Sequence, residues 1–472
     1  MADTAAPKGR SFDRRIIEGP IPGAVWRLAW PTMLQNMLGG LQGVIDQIMV
    51  GHYVGYTGNA ALGVSWQIFL VVVVFVASVF QGMGVLVARF SGKGDHDKVN
   101  RTVYQAFLTA AVMSIGILAP AGYLLAPKLL NVVHAAPDVQ TQALPYLRIM
   151  FVFSFGMLTF FMTGGAFRSA GDARTPLRLG MLMTGMNIVF NVILIRGLGP
   201  IPAFGTAGAA MGTVLAAGII SVIVIALLLS DRAVVGFPRG RSWKPDLSII
   251  KELFRFGLPT GLQGVAMNLG GVFLLRFIGG LPESAQAQAA YAVCYTQLFS
   301  FITWSSQGLT GATAAVAGQN LGAGRPERAI EGARVASRIG LGVAVTLGAA
   351  FLFIPKVLLG VFGMDDPQVL ALGTQFLRYL AFSGLFITVA LTYTGALQGT
   401  GDTKSPLFIS IVSQIVIPLG MCAVLQAMGQ LHASQIWLAI LLGHATRCVL
   451  SVGRFKQNKW QGIEVNIEPA RP

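Results

Sequence analysis

The sequence predicts an all-α polytopic membrane protein: twelve transmembrane helices in two parallel six-helix lobes, related by a pseudo-two-fold axis along the membrane normal. Three observations carry this. The chain is 54% hydrophobic and only 11% charged, with a mean hydropathy of +0.66, whereas soluble domains carry about 25% charged residues. Apolar stretches of roughly 20 residues, each long enough to cross a bilayer as a helix, recur along the whole length. Short motifs also return in one register, 228 to 230 residues apart.

Taken in chain order, the elements follow from that frame. Residues 1–27 hold no apolar run of the kind a cleavable signal peptide needs and read as a cytoplasmic tail. Apolar stretches at 28–54, 60–87, 102–126, 143–167, 177–199 and 207–230 make the first lobe, 28–230. A basic cytoplasmic linker, 231–252, follows. Stretches at 254–280, 288–316, 339–362, 371–397, 406–428 and 434–453 make the second lobe, 253–453, and 454–472 is a second cytoplasmic tail. The alternating ten-residue segments of a membrane β-barrel are absent.

The repeat is explicit. "PTMLQ" at Pro31–Gln35 returns as "PTGLQ" at Pro259–Gln263, and "GKG" at 92–94 returns as "GAG" at 322–324. "GAFRSAGDARTP" (165–176) returns as "GALQGTGDTKSP" (395–406). The Gly-Asp pairs read as tight turns between helices. Six helices per half is an even number, so both halves enter the membrane in the same sense, a plan used by secondary transporters.

The formal charge of +15 is a matter of topology. With the N-terminus inside, 27 of the 34 Lys and Arg fall on inner segments. Only Lys128, Arg148, Arg196, Arg276, Lys356 and Arg378 fall outside, and Arg447 lies within the last helix. This is the positive-inside pattern, and it puts both termini in the cytoplasm of a cell whose inner membrane holds the protein. Anionic lipid headgroups are then the contact for the basic segments, and no nucleic-acid partner is expected. Cys294, Cys422 and Cys448 lie in apolar segments without metal-type spacing and read as small core residues.

One residue breaks the apolar pattern. Of 19 acidic residues only Asp46 lies well inside a membrane segment, where a charge costs about 2.5–3.5 kcal/mol on insertion scales. Its depth can be matched. Asn187 and Asn191, spaced i, i+4, share one face of the fifth helix, and Thr213 enters the sixth from outside. At ~1.5 Å per residue all four fall within about one turn of a common depth. A carboxylate with amide and hydroxyl oxygens can hold a hard cation such as Na⁺ or a proton. The asparagines serve equally well as interhelical glue. On the fourth helix Phe155, Met157 and Phe161 are candidates for an adaptable apolar surface, against the plain alternative of packing. His444 and Arg447 on the last helix read as structural.

These residues resemble a known family. "WPTMLQNMLGGLQGVIDQIMVGHYVG", "FRSAGDARTP" followed by "NIVFNVILI", and "LQGTGDTKSP" are similar to the multidrug and toxic compound extrusion (MATE) transporters over residues 24–453. The resemblance implies a two-lobed, non-enzymatic antiporter that exports small organic, chiefly cationic, compounds in exchange for H⁺ or Na⁺, with no cofactor beyond the coupling ion. It puts cation coupling on Asp46, with Asn187, Asn191 and Thr213 as partners, and the bending of helix 1 on Pro31. Two departures count. Asn191 stands where some members carry a second aspartate, which tilts the reading toward H⁺. Met267 stands where another branch carries a glutamate, which leaves the second lobe without a coupling carboxylate. The protein is expected to act as a monomer.

Three other functions fit less well. A flippase for a lipid or lipid-linked substrate would line its cavity with arginines or lysines. A membrane enzyme would want a catalytic constellation at one depth, and a passive channel repeated polar rings.

Overall fold

The computed structural model describes residues 11–133, 135–230, 232–238 and 244–465. The basic residues Lys8, Arg10, Arg239, Arg241 and Arg471 lie outside the described residues. Long helices follow one another along the chain. The first six are α1 (Ile21–Tyr53), α2 (Tyr56–Lys93), α3 (His96–Val132), α4 (Pro137–Val152 continuing as Ser154–Ser169), α5 (Arg174–Arg196) and α6 (Gly205–Leu229). The second six are α7 (Leu247–Gly279), α8 (284–322), α9 (Pro326–Phe353), α10 (Pro367–Thr400), α11 (Lys404–Ala427) and α12 (Ala433–Lys456).

Among the described residues nine of these are long and apolar enough to span a membrane, and α4, bent by 54° at Phe153, makes a tenth. The other two, α1 and α8, are long enough but carry polar side chains: Gln35, Asn36, Gln42, Asp46 and Gln47 in α1, and Ser305, Ser306 and Gln307 in α8. With them the twelve apolar stretches of the sequence each correspond to a helix. The chain is a multi-pass helical membrane protein.

The repeated motifs fold alike. Gly171 and Gly401 both take left-handed backbone, φ 101° and 99°, which glycine alone adopts without strain. The aspartate after each caps the next helix. Asp172 Oδ1 accepts from the amides of Arg174 and Thr175, at 3.0 Å each. Asp402 Oδ1 accepts from the Ser405 amide at 3.2 Å, and its other oxygen pairs with Arg454 at 2.8 Å. Gly94 and Gly324 likewise match, at φ 74° and 72°. The halves differ in their π-helical turns, which interrupt α3 at Val112–Leu118, α8 at Ala292–Leu298 and α11 at Val412–Val416. None of the three has a counterpart 230 residues away.

Two compact units form. One is built mainly of Met37–Gly261, the other of Leu262–Glu464 together with Arg15–Asn36. The exchange points lie inside α1 and α7, close behind Pro31 and Pro259. In the first unit the opening half of α7 lies against α2: a Cβ on Gly257 would overlap the Ser78 carbonyl, and one on Gly82 the Leu253 carbonyl. In the second, the opening half of α1 lies against α8, where a Cβ on Gly308 would come within 2.6 Å of the Met33 backbone. Also in the second unit, α10 approaches α8 through Gly395 and Gly399, whose Cβ positions are taken by the carbonyls of Thr310 and Ala314. Such small-residue contacts are how membrane helices approach closely.

Candidate functional site

The site lies in the first unit, where α1, α5 and α6 meet. Its polar residues come from three membrane helices, where lipid offers a polar atom no partner. Asp46 on α1 accepts, through Oδ1, a hydrogen bond from Asn191 Nδ2 at 2.7 Å. The same Asn191 Nδ2 donates to Asn187 Oδ1 at 3.3 Å, one turn back along α5. Asn187 Nδ2 in turn donates to Thr213 Oγ1 on α6 at 3.1 Å, and Thr213 closes the chain by donating to the Ala209 carbonyl at 3.0 Å. Both asparagines are 0% exposed. The four residues singled out in the sequence are thus one connected network.

Asn191 is held by the shape of α6. A Cβ on Gly212 would overlap Asn191 Oδ1, so the glycine leaves the space the amide fills. That oxygen is buried and accepts no hydrogen bond among the described residues. An acceptor left without a donor beside a carboxylate costs about 1–3 kcal/mol. A cation at this point would supply what it lacks, and the donor set of carboxylate, amide and hydroxyl oxygens suits a hard ion.

Three further residues belong here that sequence reasoning did not single out. Gln42, one turn before Asp46, accepts through Oε1 from Thr184 Oγ1 at 2.8 Å, which makes a second polar rung between α1 and α5. Tyr146 on α4, buried, lies within electrostatic reach of Asp46. The i, i+4 spacing of Gln42 and Asp46 was the available signal for the rung. Nothing in the sequence marks Tyr146, whose nearness to Asp46 comes from α4 alone.

The other predicted residues disperse. Pro31 lies within α1, which runs through it unbroken, in the part of the helix that belongs to the second unit. Phe155 is half-buried and packs edge-to-face on Phe107 of α3, with centroids 5.8 Å apart. Met157 is buried, and Phe161 is 45% exposed.

The family model MatE matches the chain twice, over residues 31–193 and 259–424, one match in each repeat. Two curated relatives are the "Probable multidrug resistance protein NorM" of Thermotoga maritima and the protein of the same name in Deinococcus radiodurans. The first is 26% identical over 92% of each chain. The second is 29% identical over 92% of this chain and 94% of the relative. A solved structure described as the outward-facing conformation of a multidrug resistance MATE family transporter of the MOP superfamily superimposes with a TM-score of 0.86. It covers 97% of this chain and 100% of its own, at 21% identity. That likeness is one of fold: twelve helices in two lobes.

Proposed function

The chain belongs to the MatE family of membrane transporters, and from that premise we propose that it exports small organic, chiefly cationic, compounds in exchange for H⁺ or Na⁺. The multidrug names of its relatives support the substrate class. The observation that carries the coupling is the 2.7 Å contact from Asn191 to Asp46, with an orphaned amide oxygen at its side, deep in an otherwise apolar helix bundle.

In this reading the empty carrier faces the cytoplasm with Asp46 ionised and takes up substrate. Once it has turned outward, a proton or Na⁺ from outside joins Asp46, and its charge is cancelled. The Asn191 amide then loses its charged acceptor and α1 repacks, with Pro31 as the place where a missing backbone hydrogen bond makes bending cheap. Substrate leaves, and the neutral site returns inward. Each cation charge entering gains about 2.3 kcal/mol per 100 mV of membrane potential. The protein works as a monomer in the cell's inner membrane with both termini cytoplasmic, an orientation supported by the bias of Lys and Arg toward the inner segments.

The test is efflux of a fluorescent cationic dye from proteoliposomes, with a pH or Na⁺ gradient imposed separately. Wild-type protein is expected to move dye under one of the two gradients, and Asp46→Asn to fold and reconstitute but move none. Full gradient-driven export by the mutant removes Asp46 from the coupling. No movement by wild type under either gradient counts against drug export and in favour of a flippase.

A further inference from the structure

Among the described residues, the second unit buries a positive charge that no acidic group answers. Arg447, on α12, is 1% exposed. Among the described residues it has no acidic partner, and its one polar contact is from Nη1 to the thioether of Met267 on α7, at 3.7 Å, a weak acceptor. Its Nε has no hydrogen-bond partner. A buried guanidinium left in this state costs several kcal/mol, and five N–H donors call for acceptors.

Its surroundings deepen the deficit. His444, one turn before it and 2% exposed, stacks on Phe299 and Tyr295 of α8, and its Nδ1 has no partner. Gln414 of α11 comes up to the same turn of α12, since a Cβ on Gly443 would lie 3.6 Å from Gln414 Nε2. That nitrogen too is buried without an acceptor. Tyr295 lies within electrostatic reach of Arg447. Tyr295 and Gln414 each sit in a π-helical turn, a rare distortion that is frequent at functional sites. Both turns are absent from the first repeat, where Asp46 stands. Two helices are therefore distorted at the residues that surround one buried cation, and what the group lacks is negative charge and acceptors.

We propose that the second unit binds a small monovalent anionic group, a halide or the carboxylate of an organic compound, against Arg447, with Gln414 Nε2 and His444 as further donors. Such a site gives the protein a place for the acidic part of a substrate or for a co-transported anion. It stands independently of the Asp46 reading.

The experiment is thermal unfolding of the full-length protein in lipid nanodiscs, titrated with sodium chloride or sodium benzoate at constant Na⁺ and ionic strength, with gluconate as the bulky reference anion. Ligand that binds only the folded state raises the midpoint saturably. A saturable rise with chloride alone assigns the site to an inorganic anion, and with benzoate alone to an organic carboxylate; mutual competition assigns it to both. Arg447→Met is expected to lose the rise entirely. Gln414→Leu, which keeps the guanidinium, is expected to weaken half-saturation by about tenfold to a hundredfold, as for one lost hydrogen bond to a charged group. No saturable rise with either anion overturns the proposal, as does an equal rise in Arg447→Met. Should that variant not fold, unchanged half-saturation in Gln414→Leu overturns it instead.

Discussion

Asn191 is the residue on which the Asp46 site turns. Its nitrogen serves both Asp46 and Asn187, while its oxygen occupies the space left open by Gly212. Gly212→Ala therefore puts a methyl where that oxygen sits and forces the amide to rotate away from Asp46. Gradient-driven dye efflux is expected to fall about tenfold or more, the equivalent of ~1.4 kcal/mol, measured against Gly218→Ala. At Gly218, on the same helix, nothing lies within 4 Å of the added carbon, and that variant should transport as wild type does. If both glycine variants transport alike, the amide's orientation does not matter. Much of this site was legible in the sequence, because a carboxylate in an apolar helix is conspicuous and depth and i, i+4 spacing select its partners. Gly212, Thr184 and Tyr146 were not. Each is ordinary in a membrane helix until the opposing helix is known.

At the scale of elements, the second repeat depends on how closely α8 and α10 approach. Gly395 and Gly399 stand one turn apart on α10 and meet the backbone at Thr310 and Ala314, one turn apart on α8. Gly399→Leu drives a side chain into a carbonyl and is expected to destabilise by about 1–3 kcal/mol or more, read as a lowered unfolding midpoint in detergent. Gly342→Leu on α9, where nothing lies within 4 Å, should leave the midpoint within experimental scatter. Equal midpoints would show that the helices separate at little cost. The Gly-Asp turns that join the helices announce themselves, since positive φ and a capping aspartate leave a fixed signature. The π-helical turns at 112–118, 292–298 and 412–416 leave none: "VMSIGIL" and "VSQIV" are apolar stretches like those on either side of them, and the extra residue is accommodated through tertiary packing.

For the molecule as a whole, the segment that joins the repeats is tied down at its far end. Asp246 pairs with Arg101 of α3 at 2.6 Å, its amide donates to Gln105 Oε1, and Gln105 Nε2 donates to the Lys244 carbonyl. Partial burial pushes the Asp246 carboxyl upward, but hydrogen bonds from Ser248, Arg101 and the Ile249 and Ser248 amides outweigh it and hold the group below its ordinary value. A carboxyl lowered by folding stabilises above its unfolded value, about 3.9, and that contribution disappears as pH falls through the lower, folded one. The side chain is part-exposed, so the effect is about 1 kcal/mol or less. Amide exchange around Ile249 and Ile250 should therefore quicken, relative to amides in α12, as pH falls below about 4, and Asp246→Asn should show the same loosening at pH 7. Unaltered exchange in that variant would leave the pairing without a role in docking. The sequence shows where each repeat begins, through its proline, glycine and basic punctuation. Compactness depends instead on which neighbours a helix packs against, so exchange points inside α1 and α7 carry no mark in the chain.

Those exchange points bear on how the protein is made. Residues 15–36 leave the ribosome long before the surface they rest on exists: Asn36 hydrogen-bonds the Trp304 carbonyl, 268 residues later, and the Ile16 carbonyl accepts from Asn320, 304 residues later. The opening half of α1 must therefore be inserted and then wait, unpartnered, through the synthesis of seven further helices. Order of translation and order of packing are decoupled, and a nascent chain arrested after the first repeat holds its first residues without the surface they rest on.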